Sequence, residues 1–212
     1  MKDTITHHTP DALLAAYAAG SLPHPYALVV ATHVSLCLEC RAAYEAHQAL
    51  GGVVLDAVQS APVSDGLKAD VLALIELPDP APARPRRLGP LPGPVVEALG
   101  GKPPKWSTLG KGIRQCIVSE SRSGSVRLLS IPPGQAVPDH GHRGMELTLV
   151  LQGSFSDETG RFGVGDLEVA DEELEHTPIA DAGETCICLA ATDAPLRFSA
   201  LVPRLLQRLF RI

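Results

Sequence analysis

Residues 33–40 read HVSLCLEC, and the spacing of His33, Cys37 and Cys40, four residues and then three, decides how the first part of the chain is read. On a continuous helix, positions i, i+4 and i+7 lie along one stripe, so the three side chains share a face. If the chain turns after Cys37, the two cysteines still make a C-x₂-C knuckle beside a helix end. Either geometry brings together two thiolates and an imidazole, the donor set that a tetrahedral zinc ion takes. A closed structural site needs a fourth ligand, and the candidates are His7 and His8, just ahead of the first helical segment.

Working outward, Thr9-Pro10 reads as an N-cap with proline at the first helical position, and Gly20 closes the helix DALLAAYAA. A second helix is expected from Pro25 through YALVVATHVS, and a third over ECRAAYEAHQAL, ending at Gly51-Gly52. Ser64-Asp65 then caps GLKADVLALIEL, whose Leu67, Val71, Leu74 and Ile75 form an apolar stripe. Four short helices before Pro78 enclose little core, so a metal staple is physically expected.

Charge narrows the classes of partner. Up to Ala83, three cationic side chains stand against nine acidic ones, in a chain of net charge −6. Nucleic-acid affinity comes mainly from Lys and Arg on phosphates, so no direct nucleic-acid contact is expected; a basic protein partner suits this region better. No apolar run approaches the roughly 18 residues of a membrane span, and the polar start MKDTITHHTP has no signal-peptide core. The expectation is a soluble, cytoplasmic protein without a membrane partner. Five cysteines, an odd count without framework spacing, fit a reducing compartment with metal or redox use.

From Pro78 the composition changes: PDPAPARPRRLGPLPGP (78–94) holds seven prolines in seventeen residues and reads as an extended linker. Beyond it the periodicity turns toward two. RQCIVSE, SVRLLSI, ELTLVLQGSF, DLEVA, TCICLAAT and LRFSALV are short segments between Gly, Pro and Asp turns, which argues for an all-β sandwich or barrel. The end, PRLLQRLFRI, reads equally as a short helix or an edge strand. The organisation expected is 1–77 helical, 78–94 linker and 95–212 all-β.

Residues 134–153, GQAVPDHGHRGMELTLVLQG, carry a second constellation. His140 and His142 are two apart, so on a strand they face one side, and Glu146 follows four later. With His176 they make three imidazoles and a carboxylate, a set that holds a first-row divalent metal. Cys186 and Cys188, at i and i+2, share a strand face. A face directed into the barrel places both sulfurs near that metal, where oxidation is one reading and plain burial the other.

The run Gly134-x₅-His140-x-His142-x₃-Glu146-x₆-Gly153 matches the first cupin motif at every position. The second is matched at Gly165 and His176, while Asp171, Glu173 and Ala180 stand where that motif has Pro, Gly and Asn. Joined to the His-x₃-Cys-x₂-Cys segment, the whole chain resembles the ChrR-type zinc anti-sigma factors. The resemblance implies an α+β protein of two domains: a zinc-stabilised helical bundle that holds an extracytoplasmic-function sigma factor inactive, and a cupin jelly roll. It also implies zinc in both. The ligands would be His33, Cys37 and Cys40 with a histidine before the first helix, of which His8 is nearer the cap, and His140, His142, Glu146 and His176. The cupin would be needed for release of the sigma factor in response to singlet oxygen or related oxidants, and the protein would not be an enzyme. The alternative on the same cupin ligands is a metal-dependent, dioxygenase-like enzyme with an accessory zinc domain.

Overall fold

A computed structural model describes residues 4–75, 88–137, 140–141, 144–171, 175–193 and 197–198. The body of the expected linker, residues 78–87, and the segment PRLLQRLFRI lie outside the described residues.

Helix α1 (Asp11–Ala18) starts one residue later than expected. Pro10 occupies the cap position, its carbonyl accepting from the Leu13 and Leu14 amides, and no side chain caps the end. The chain leaves α1 through Gly20 at φ 68°, with Gly20 N–H donating to Tyr17 and Ser21 N–H to Ala16, a left-handed closure that favours glycine. Helix α2 (His24–Leu36) has buried residues around most of its circumference: Pro25, Tyr26, Leu28, Val29, Val30, Thr32, His33 and Val34. A helix with no polar face must be covered on every side. At Cys37 the backbone becomes extended (φ −102°, ψ 115°), and helix α3 (Leu38–Asp56) departs at 117° to α2. The chain therefore turns at Cys37, the second of the two geometries open to HVSLCLEC. Helix α3 continues through Gly51-Gly52 to Asp56, and of its residues only Cys40 is buried. Helix α4 (Leu67–Ile75) has no buried residue at all.

The described end of the proline-rich stretch is more ordered than its composition predicts. A bridge joins Leu88 to Leu91, and Gly93–Ala98 forms a short helix, α5, that buries Val95 and Val96. Its prolines sit where helices tolerate them, at the cap and in the first turn.

Strands β1 (Ser107–Gly110), β2 (Ile113–Ser121), β3 (Gly124–Ile131), β4 (His140–Gly141), β5 (Glu146–Gln152), β6 (Phe155–Ser156), β7 (Arg161–Phe162), β8 (Leu167–Ala170), β9 (Glu175–His176), β10 (Ile179–Ala180), β11 (Cys186–Thr192) and β12 (Arg197–Phe198) follow. The main sheet runs β1-β2-β3-β11-β5-β8, every pair antiparallel. Two three-stranded groups, β10-β6-β7 and β12-β4-β9, make the other side of the roll. Alternation along β3, β5 and β11 divides the apolar residues between two faces. Val150, Cys186, Cys188 and Ile131 turn inward against Phe155, Phe162 and Ala180. Val126, Leu128, Leu147, Leu149, Leu189 and Ala191 turn outward and form one cluster with Leu14, Val29, Val30, Val34, Val95 and Val96. Helix α2 thus packs across β11, β5 and β3, and α1, α2 and α5 share a core with the sheet instead of standing on their own.

Candidate functional site

The turn at Cys37 assembles the first centre. His33 is on the last turn of α2, Cys37 at the corner, Cys40 in the first turn of α3, and His8 on the segment leading to α1. One donor atom from each lies within 4.8 Å of every other. His33 Nε2 is 3.2 Å from Cys40 Sγ, and His8 Nδ1 is 3.3 Å from Cys37 Sγ and 3.6 Å from Cys40 Sγ. Zinc bonds of about 2.0 Å to nitrogen and 2.3 Å to sulfur, at tetrahedral angles, put donor atoms roughly 3.5 Å apart. The spacing fits such an ion. His7, the other candidate, points away: its Nδ1 is 3.6 Å from Asp166 and its ring lies on Phe162 with centroids 4.4 Å apart.

The electrostatics favour the same reading. Burial holds the His33 imidazole down, to about 4, so the ring is neutral and able to ligate. Burial, ahead of the neighbouring Cys37, pushes the Cys40 thiol up to about 11, against the opposing influence of the Thr9 amide. Two buried thiols at this spacing ionise together only with a cation between them. His8 uses Nδ1 toward the sulfurs and presents Nε2 to Glu39 at 3.5 Å, the carboxylate–imidazole pairing that orients metal-bound histidines. The His33 ring also lies against the Gly165 backbone, and among the described residues Thr9 Oγ1 is buried with no hydrogen-bond partner, so it does not act as the expected cap.

The second centre is described in part. His140 on β4 sits directly across from His176 on β9. Their strands bring the two backbones together, whereas His142 lies outside the described residues. Glu146 opens β5, is buried, and accepts from the Thr148 hydroxyl at 2.9 Å. It is near enough to help hold the His176 imidazolium. The donor chemistry of Glu146 and His176 suits a divalent ion.

Two carboxylates absent from the sequence-based site lie behind His176. Its Nδ1 is 2.8 Å from Asp157 Oδ2 and 3.0 Å from Glu168 Oε1, all three side chains being almost wholly buried. Burial works to lower the His176 value, but Glu168 and then Asp157 outweigh it and carry the imidazole up to about 9. Burial also lifts Glu168, to about 7, while bonds from Glu168, Thr159 and His176 hold Asp157 below the usual carboxylate range despite its burial. Nδ1 is engaged by the two carboxylates, and Nε2 is the ring atom on the side away from them. Cys186 and Cys188 do face inward, Sγ to Sγ 3.5 Å; the bond to Cys186, then burial, raises the Cys188 value far above that of a free thiol.

Residues 102–195 match the family described as the ChrR cupin-like domain. Anti-sigma-E factor ChrR of Cereibacter sphaeroides is 54% identical over 212 residues, covering 99% of this chain and 100% of that protein. The chain belongs to the ChrR family of anti-sigma factors. The crystal structure of Rhodobacter sphaeroides SigE in complex with the anti-sigma ChrR matches it at TM-score 0.80 and 53% identity, over 90% of this chain and 100% of that one. Likeness to the ChrR family thus takes in the helices that hold the His/Cys cluster as well as the cupin. No single helix among the described residues is long and apolar enough to cross a membrane.

Proposed function

We propose that this chain is a cytoplasmic anti-sigma factor that binds an extracytoplasmic-function sigma factor and keeps it inactive. The observation that carries the reading is the end-to-end likeness to an anti-sigma factor, across helices and cupin alike. That span also sets the enzyme alternative aside, since a cupin enzyme would leave the His/Cys helices without a role. The docking surface is the outer half of α3 with α4. Val53, Val54 and Leu55 on α3 and Val71, Leu74 and Ile75 on α4 are all exposed there, a density of apolar side chains that marks a protein interface. Residues 1–77 form the inhibitory part, 78–94 the linker and 95–212 the sensory cupin.

Zinc is the ion we assign to His8, His33, Cys37 and Cys40, where it would fix three chain segments with charged sulfur donors in a closed site. A second ion, zinc or another first-row divalent metal, would be held by His140, His142, Glu146 and His176. The cupin centre is needed for release of the sigma factor under singlet oxygen or related oxidative stress. Cys186 and Cys188 are both buried, and the Cys188 thiol is held protonated, a state of low reactivity. Co-purification of the full chain from cells, followed by metal counting, tests this: the expected product is a 1:1 complex with a sigma factor and two metal ions per chain. A chain that carries iron, consumes oxygen and brings down no sigma factor would instead be the enzyme.

A further inference from the structure

The segment that delivers His8 is fastened to the cupin. Asp166, in the turn between β7 and β8, accepts at Oδ1 from the Thr6 amide (2.7 Å), the His7 amide (2.8 Å) and the Thr6 hydroxyl (3.4 Å). Its Oδ2 accepts from Gly163 N–H at 2.8 Å. The next amide, Leu167, donates back to the His7 carbonyl at 3.0 Å. Ile5 covers Gly165 so closely that a Cβ there would lie 2.5 Å from Ile5 Cδ1, and the φ of 93° at Gly165 disfavours any side chain besides. These contacts span residues 5 to 7, immediately before the ligand. On the cupin side they span 163 to 167, immediately before Glu168, which holds His176.

A second tie runs through α2. The Tyr26 hydroxyl donates to the Met145 carbonyl at 2.7 Å, and Met145 is the residue before Glu146. One helix therefore has its first turn on the neighbour of one cupin ligand and its last turn carrying His33. Its middle, Val29 and Val30, is fully buried in the cluster it shares with the sheet, so the helix moves as a rigid piece or not at all. In the His/Cys centre, His8 follows directly on one such contact and His33 stands seven residues along α2 from the other; in the cupin, Glu146 follows Met145 and His176 is held by Glu168, which follows Leu167.

We propose that the two centres are one mechanical unit: Asp166 latches the strap bearing His8 to the turn before Glu168, and Tyr26 ties α2 to the residue before Glu146, so that loading of the cupin centre sets how tightly the His/Cys centre holds its ion. The inference rests on the metal reading given above and deepens it. It supplies a route by which a change confined to the barrel reaches the helices. By linkage the effect is reciprocal: an ion at the His/Cys centre must tighten the cupin centre by the same factor.

The test uses the full chain loaded with Co²⁺ at both centres. Cys37 and Cys40 give a thiolate-to-cobalt charge-transfer band in the near ultraviolet, absent from C37S, whose decay on adding EDTA reports the first centre alone. Emptying the cupin centre with E146Q is expected to speed that decay about tenfold, within the usual range of site-to-site coupling. In the D166A/Y26F background the decay is already fast, and E146Q adds less than about twofold. Amide exchange keeps the test independent of metal: D166A, or D166N should D166A fold poorly, exposes Thr6, His7 and Leu167 while Leu189 in β11 stays protected. A decay that ignores E146Q in the parent protein, or one equally sensitive to it in D166A/Y26F, overturns the proposal. A parent protein that never shows the band overturns the metal reading beneath it, a distinct result.

Discussion

Replacing Leu74 or Leu55 with alanine should weaken sigma-factor binding without touching the fold. Leu74 is 66% exposed and Leu55 71% exposed, so most of each side chain is still in water and has its burial ahead of it. Full burial of a leucine is worth about 1.5–3 kcal/mol, and the two-thirds still outstanding comes to about 1–2 kcal/mol. At about 1.4 kcal/mol per tenfold, each change should raise Kd roughly 5- to 30-fold. Helix propensity changes little, because alanine is the better helix former, so stability should stay within about 0.5 kcal/mol. The assay pairs calorimetric titration against the sigma factor with thermal denaturation of the free protein. Unaltered Kd in both variants would refute the docking surface. A Tm lowered by many degrees would show that these side chains belong to the core of the fold.

Two further outcomes follow from the packing. V30A removes two methyl groups from a fully buried position between α2 and the sheet, at a cost of about 2–3 kcal/mol. Because the cluster is shared, helical circular dichroism and the fluorescence of the single tryptophan, Trp106 on the cupin, should move to lower denaturant together; separated transitions would mean the helices fold apart from the barrel. E168Q, which loses the carboxylate behind His176, should lower metal affinity of the cupin about 10- to 100-fold in a chelator competition, with the cupin centre emptying ahead of the His/Cys centre. An affinity equal to the parent's would show that Glu168 does not support the ligand.

Much of this was readable from residue spacing, and what was not has physical reasons. His33, Cys37 and Cys40, and likewise His140, His142 and Glu146, stand on short, fixed intervals, and intervals survive in one dimension. The choice between a continuous helix and a turn at Cys37 could not be made from spacing, because both place the sulfurs near His33. Tertiary packing decides it, by directing α3 away across the end of α2. The role of α2 was visible in YALVVATHV, a run without a polar face, yet it reads as part of a small bundle until the outward-facing leucines of β5 and β11 are seen to pack on it. Helix α5 hid inside a proline-rich composition, and the two prolines at its start, Pro92 and Pro94, occupy positions that helices permit. Asp166 and Glu168 lie within DLEVA, an apparent strand; a carboxylate at an inward position of a strand is a signal that something basic waits inside, here His176. Asp157 belongs to an ordinary-looking turn, SDETG, and nothing local marks it. Tyr26 joins Met145 across 119 residues, a contact that only the fold can supply.

On the proposed function, a metal-set helical surface inhibits the sigma factor. Titrating the sigma factor with the zinc-loaded full chain, and then with the same chain stripped of metal at the His/Cys centre by C37S, measures that claim most directly. The expected result is tight 1:1 binding by the loaded protein and a loss of at least about a hundredfold in the variant, with the cupin still folded. Equal affinity in the two would contradict it.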